Sequence, residues 1–461
     1  MASSPIDLID KNSPLVLGWL YYSHGRQHLH IAVLVGRCST SLGLVHIMRI
    51  LVINRSFGEF ASYGDYIDHT DHRVAYVTIA SHLGQIPRNR AAVEVVDRLA
   101  TEQEVIAAAR QCAVDVGGFD RVVTTTETDQ LTVARLREVF RCAGPSVDAV
   151  TSFRDKLRMK TIVRDARLAT PRFAAVSTIE DVTRFQDSVG VRLVAKPRFG
   201  VASAGVRVLK SSADASKELG DLELSDYQVE EFVDGPIWHV DGIRSRGLTT
   251  RSFAWQYIGT CLRFAQGQPL GSVSRNDSTA REATRFATQV VSSLGMNDGV
   301  FHLETIESRR GFVFMEVAAR AGGSYIPYLL RDVYGVDFVE HSVRLQAGLA
   351  PRHETKTLDG PSCAGGLVFP EVVGARVLRV HDMDNEFPEL YRKTVAPIGH
   401  VFAGHGEYED VLGTFLFRGR DTRETESAIR SAMQRFGSGV RLEHSRADVT
   451  QGAQNVASIL A

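Results

Sequence analysis

The chain has 461 residues, enough for about three domains, and carries 53 Lys and Arg against 54 Asp and Glu, a formal charge of −1. That balance excludes a globally basic surface for nucleic acid, while 44% hydrophobic and 23% charged residues fit a folded globular chain. No run approaches the roughly 18 consecutive apolar residues of a membrane helix. The five cysteines (Cys38, Cys112, Cys142, Cys261 and Cys363) are too scattered for a disulfide framework or a metal finger, so a reducing cytoplasm is the expected compartment.

Residues 1–47 carry His24, His28, His30 and His46 with no clear hydrophobic period. Leu15–Tyr22 is apolar but short, and it lacks the basic start and small-residue cleavage site of a signal peptide. Met48-Arg-Ile-Leu-Val-Ile-Asn54 reads as a buried strand opening an α/β domain. Met48 is therefore the expected native start, and residues 1–47 an upstream extension. Its histidine tract has a metal-binding alternative, but surface or non-native sequence is the expected reading.

From 48 to 150 strands alternate with helices. Arg73–Ile79 and Arg121–Thr125 read as strands, Val93–Arg110 as one or two helices, and Leu131–Arg141 as a helix with Leu131, Ala134 and Leu136 inward. This order predicts a small parallel α/β sheet. No GxGxxG follows the first strand, so a dinucleotide site would lack its phosphate loop. Residues 151–355 hold most of the motifs. From 356 to 461 the chain is again α/β, with strands at Ala364–Phe369 and Val411–Arg418, a helix at Arg423–Phe436 with Ile429 and Met433 on one face, and a frayed end after Ser445.

Lysine is scarce, 8 residues against 45 Arg, yet three fall within the 41 residues 156–196. Lys156 and Lys160 open a predicted helix, and Lys196 ends a predicted strand. Next comes the small-residue stretch Gly200-Val-Ala-Ser203-Ala-Gly205. It reads either as a plain hairpin turn or as a phosphate cover whose backbone N–H groups can approach phosphate oxygens. Tyr227-Gln-Val-Glu230-Glu231-Phe-Val233, followed by Asp-Gly-Pro, is either an edge strand with solvated acids or a segment offering its backbone to an adenine edge.

The sharpest pattern is Phe301-His302-Leu-Glu304, a turn through Ser308–Gly311, and Phe312-Val-Phe-Met-Glu316, ending at Arg320. Glu304 and Glu316 are equidistant from position 310, so a hairpin would set them about 4.5–5.5 Å apart. Facing carboxylates repel unless a divalent cation lies between them, and two carboxylates plus phosphate oxygens are how Mg²⁺ is usually held. The alternative is a slipped register with one acid in solvent. Arg320 could meet a phosphate or carboxylate bidentately.

This ordered set, from about Phe153 to Tyr334, resembles the ATP-grasp superfamily and within it the carboxylate–amine ligases that join amino acids. The resemblance implies an α/β fold with an N-terminal parallel α/β domain (48–150), an ATP-grasp domain (151–355) and a C-terminal α/β lobe (356–461). It implies ATP and Mg²⁺, or Mn²⁺, as cofactors, and small-molecule carboxylate and amine substrates. Neither nucleic acid nor membrane is an implied partner, and a homodimer is an admitted assembly. Lys156 and Lys196 would contact the ATP phosphates, with Ser203 and Gly205 in the loop above them. Glu230, Glu231 and Val233 would form the adenine hinge, the last two through backbone atoms. Glu304 and Glu316 would carry the metal, and Arg320 would stabilise an acyl phosphate. Two positions depart from the pattern. Ile237 replaces the ribose-binding acid, which moves that expectation to His239 or Asp241, and Ala318 replaces an Asn metal ligand. The implied reaction is amide formation in specialised metabolism. The alternatives are a related ligase using a thiol or bicarbonate, or a nucleotide-binding protein without turnover.

Overall fold

The computed structural model describes residues 47–444 apart from 56–61, 99, 353–362 and 405–409. The histidine tract, Cys38 and the stretch after Ser445 lie outside the described residues. Strand β1 (Arg49–Asn54) is buried along almost its whole length, as expected of a central strand in a parallel sheet covered on both faces. It lies between β2 (Arg73–Ile79) and β4 (Arg121–Thr124), and β3 (Ala92–Val96) pairs in parallel with β2, giving the order β3-β2-β1-β4. The first part of Val93–Arg110 is thus strand, not helix. Val93, Val95 and Val96 are β-branched and suit a pleated surface. The helix begins only at Glu102, after a capping box in which Thr101 and Glu104 satisfy each other's backbone N–H groups. The helix expected at Leu131–Arg141 runs from Gln130 to Phe140, with Ala134 and Leu136 fully buried.

A second sheet contains β5 (Phe173–Ala175), β6 (Leu193–Pro197), β7 (Arg207–Leu209) and β8 (Tyr227–Glu231), antiparallel in the order β5-β8-β6-β7. β8 is therefore an inner strand, so its acids are not those of an exposed edge. The helix Ile179–Val189 packs Val182 and Val189 onto this sheet with Leu193, Ala195 and Val229.

Among the described residues the large sheet has eight strands. β9 (Ile237–Ser245), β10 (Leu248–Ile258), β11 (Leu270–Arg275), β12 (Gly299–Ser308) and β13 (Gly311–Ala318) are joined by β14 (Cys363–Phe369). Further on come β15 (Ala375–Arg379), β16 (Leu390–Val395), β17 (Gly413–Gly419) and β18 (Arg441–His444), of which β15 and β18 form a separate pair. The order β13-β12-β9-β10-β11-β14-β17-β16 carries the sheet past residue 356, because β14 pairs with both β11 and β17. Period-2 alternation assigns its two faces. Trp238, Val240, Phe301, Leu303, Phe314 and Val317 pack with Ala283, Ala287 and Val290 of the helix Ser278–Ser293, and with Met159 and Val163 of the helix Lys156–Asp165. The residues between them, among them His239, Asp241, His302, Glu304 and Glu316, belong to the other face. The helix Thr422–Gly439 buries Ile429 and Phe436 against Phe415 and Phe417 of β17, with Met433 partly buried beside them.

Candidate active site

Lys156 is fixed by its helix start. Asp155 caps the helix by accepting from Leu157 N at 3.0 Å, and its carboxylate also accepts from Arg198 Nε at 3.1 Å. The Lys156 N–H donates to the Arg198 carbonyl at 3.0 Å, so helix and β6–β7 loop are tied together. The Lys156 ammonium consequently donates to the Gly200 carbonyl at 2.6 Å and lies 3.5 Å from Glu316. In the loop itself, Ala202 and Ser203 adopt left-handed backbone conformations (φ 52° and 57°), as does Gly205 (φ 71°).

Glu230 lies between two lysines. Lys196 Nζ is 2.7 Å from one oxygen and Lys160 Nζ 3.1 Å from the other, and all three side chains are buried. Burial alone would push the Glu230 carboxyl up, but Lys160 and Lys196 outweigh it and hold it below its usual value. Glu231 lies beside this pair, its side chain bound by Arg172 at 2.7 Å and its N–H donated to the Arg172 carbonyl at 2.9 Å.

Glu304 and Glu316 are direct partners across β12 and β13, but not through the symmetry of the turn. The turn pairs Ser308 with Gly311 and Thr305 with Phe314; continued regularly, it would bring Met315 opposite Glu304. Met315 instead forms a β-bulge, and this extra residue returns Glu316 to the face of Glu304. Glu304 Oε1 accepts from the Tyr257 hydroxyl at 2.8 Å, while Oε2 has no partner among the described residues. Burial pushes the Glu316 carboxyl up, but Lys156, Lys196 and Lys160 overcome it and bring it to about 2, so Glu316 is ionised at any ordinary pH. Two carboxylates with hard oxygen donors on one wall suit Mg²⁺ or Mn²⁺.

Arg320 donates through Nε to Glu127 at 2.7 Å, and Arg154 pairs with the same carboxylate. Glu127 follows β4 of the parallel sheet, so this triad joins the N-terminal sheet to the end of β13. Burial would raise the Glu127 carboxyl, yet Arg320 and Arg154 hold it low. Sequence reasoning missed Glu127, Arg154 and Tyr257. An acid just past the C-terminal end of a parallel strand is where ligands gather in open α/β sheets, and that signal was available for Glu127.

His239 and Asp241 are a correction. Both are fully buried, and His239 Nδ1 is 2.8 Å from Asp241. The other Asp241 oxygen is 2.9 Å from His302 Nδ1. Both side chains are fully buried inside the sheet and present no surface to a ribose; Asp241 orients His302, whose Nε2 lies 3.6 Å from Glu304, while His239 Nε2 has no hydrogen-bond partner among the described residues.

One cleft of about 490 Å³ is lined by Glu127, Lys156, Ser203, Glu304, Glu316 and Arg320, and it extends toward Tyr328, Arg392 and Thr414. A wider groove of about 1320 Å³ lies beside the helices Ser278–Ser293 and Thr422–Gly439, among residues that include none of these lysines or glutamates. A small parallel sheet, a small antiparallel sheet and a large antiparallel sheet, with Lys156, the β6–β7 loop and the paired carboxylates meeting at one cleft, define the ATP-grasp fold, as the motifs implied.

No family model matches the chain. Its similarities include amino-acid ligases. It is 24% identical to an L-arginine-specific L-amino acid ligase of Bacillus subtilis over 255 residues, 53% of this chain and 62% of that protein. It is 29% identical to dapdiamide A synthase of Enterobacter agglomerans over 133 residues, 28% of this chain and 30% of that one. The matched stretches thus span less than two thirds of either curated relative. In three dimensions an L-amino acid ligase from Bacillus licheniformis superposes with a TM-score of 0.67 at 18% identity, covering 87% of this chain and 99% of that chain. Other structures with the same fold were solved with ATP or ADP bound.

Proposed function

We propose that the chain is an ATP-dependent ligase that joins a carboxylate to an amine through an acyl phosphate, with amino acids as the substrate class. One observation carries the reading: the paired carboxylates Glu304 and Glu316 share a cleft with Lys156 and Arg320. The similarity to amino-acid ligases supports the substrate class.

A carboxylate oxygen of the first substrate attacks the γ-phosphorus of ATP, and ADP leaves. The amine nitrogen of the second substrate then attacks the acyl carbon, inorganic phosphate departs, and the nitrogen loses a proton to give the amide. Lys156 and Lys196 hold phosphate oxygens, while Glu231 and Val233 meet adenine through backbone atoms and Glu230 keeps Lys196 in place. The loop carrying Ser203 and Gly205 covers the phosphates and excludes water. Glu304 and Glu316 would hold Mg²⁺ or Mn²⁺, which neutralises phosphate charge when bound. Arg320 is fixed by Glu127 and stabilises charge on the acyl phosphate. Most of the catalysis is positioning and charge neutralisation. The four described cysteines are free thiols, which supports a reducing compartment such as the cytoplasm, and no described helix is long and apolar enough to cross a membrane.

The test is a screen of amino-acid pairs for ADP release, with products identified by mass spectrometry. ADP release that requires both a carboxylate and an amine, with a product mass equal to their sum less water, is the expected result. Release that requires bicarbonate or a thiol instead of the amine, or no release with any pair, would overturn it.

A further inference from the structure

The β13 strand changes phase at Met315. Phe312 and Phe314 both face the apolar core against the helix Ser278–Ser293, and so does Val317. In an unbroken strand Glu316 would follow Phe312 and Phe314 into that core, because side chains alternate with period 2. The bulge at Met315 turns Glu316 to the cleft instead. A bulged residue leaves the ladder unpaired, so its carbonyl needs another partner.

That partner is Lys160. Its Nζ donates to the Met315 carbonyl at 2.6 Å, from a side chain that is fully buried, 5.3 Å from the centre of the Phe314 ring. One residue back, the Phe314 N–H donates to the Ala169 carbonyl at 2.9 Å, so a second outside contact holds the strand next to the bulge. The same Lys160 ammonium is 3.1 Å from Glu230 on β8, which also binds Lys196. Burying an ammonium is costly unless it is fully paired. Here its two acceptors are the bulge and the carboxylate behind the nucleotide lysine.

We infer that Lys160 is a positioning residue for the cation carboxylates: by holding the Met315 bulge it keeps Glu316 on the face of Glu304. The inference rests on the proposal that Glu304 and Glu316 bind a divalent cation. It touches neither substrate nor cation itself. Losing it should weaken cation binding, as loss of an outer partner of a metal ligand typically does by 10–100-fold.

Deleting Met315 provides an internal control. The turn register then runs on without a break, the glutamate that follows Phe314 falls opposite Glu304, and alternation alone directs it to the cleft. Lys160 should become dispensable for cation binding in that background. The measurement is binding of Mn²⁺ by the full chain in the presence of ADP, followed by the electron paramagnetic resonance of free Mn²⁺, so no turnover is involved. Circular dichroism reports the fold. The variants are Glu316→Gln, Lys160→Met, the Met315 deletion, and Lys160→Met combined with that deletion.

Glu316→Gln tests the underlying reading separately: if it binds Mn²⁺ as the wild type does, the cation proposal fails whatever Lys160 does. With that reading intact, Lys160→Met should weaken Mn²⁺ at least about tenfold, and the same substitution should cost less than about threefold once Met315 is deleted, the non-additivity expected of two residues in one contact. Wild-type Mn²⁺ affinity in Lys160→Met would overturn the inference. So would an equal loss in both backgrounds, or failure to fold in both, since Lys160 would then support the fold in general rather than the bulge. Folding that fails only when Met315 is present would support it.

Discussion

Lys160 and Lys196 share one carboxylate, and Lys156 leans on another, so all three lysines are already paired before any nucleotide arrives. Glu230 and Glu316 thus keep the ammonium groups aimed while the phosphates are absent. Removing Lys156 or Lys196 should leave phosphate charge uncompensated. Each alanine variant is expected to bind ATP at least about tenfold more weakly, since hydrogen bonds to charged groups are worth about 1.5–3 kcal/mol, and calorimetric titration with ATP measures it. Arginine at these positions should rescue poorly, because a planar fork does not replace a compact ammonium; unchanged affinity in both alanine variants would contradict their role. His302 gives a pH signature. Burial alone would push its imidazole down, but Asp241 and Glu304 outweigh it and bring the value up to about 10. The folded value lies above the unfolded one of about 6.5, so the stabilisation is complete below pH ~6.5 and is lost as pH rises through about 10. The melting-temperature difference between wild type and His302→Asn should be largest near pH 6 and shrink steadily toward pH 10. A difference that does not change with pH would contradict the assignment.

The β6–β7 loop is the element where backbone conformation matters most. A Cβ on Gly205 would lie 2.9 Å from Pro197 Cγ and 3.0 Å from the Tyr227 hydroxyl, at a φ of +71°. Gly205→Ala should therefore lose about 1–3 kcal/mol of stability, readable by denaturant unfolding, and should bind ATP less well because the loop can no longer close to the same shape. Unaltered stability would show that the loop adapts. This loop was legible in the sequence because small residues between two strands mark a hairpin, whereas the start of the helix at Lys156 is fixed by the Asp155 cap that the structure shows. The facing glutamates were legible only in part. Their meeting was read from symmetry about position 310, whereas the turn itself would have matched Glu304 with Met315, and a bulge makes up the difference. Nothing in Phe-Val-Phe-Met-Glu announces that bulge, since its cause, the ammonium of Lys160, is 155 residues away in the chain. The strand at Ala92–Val96 was hidden for a related reason: its apolar spacing fits either period over so few residues, and the parallel neighbour that decides it is distant in sequence.

At the scale of the molecule, the N-terminal sheet reaches the cleft through Glu127, which meets Arg154 beside the lysine helix and Arg320 past the end of β13. Such contacts between distant segments leave no local periodicity, which is why this junction could not be read from the motifs. Glu127→Gln removes the charge that fixes both guanidinium groups. Turnover is expected to fall at least about tenfold while ATP affinity changes less than about threefold, the pattern of a contact that matters in the transition state; steady-state kinetics beside ATP titration separates the two, and an equal loss in both would assign Glu127 to nucleotide binding instead. The central claim is that a carboxylate is activated as an acyl phosphate in the cleft. Its most direct test uses the carboxylate substrate found by the screen, labelled with ¹⁸O in its carboxyl group, with the released phosphate followed by ³¹P nuclear magnetic resonance. Attack on ATP by the carboxylate predicts that one ¹⁸O atom per turnover appears in inorganic phosphate. Phosphate without label, released as amide accumulates, would contradict the account.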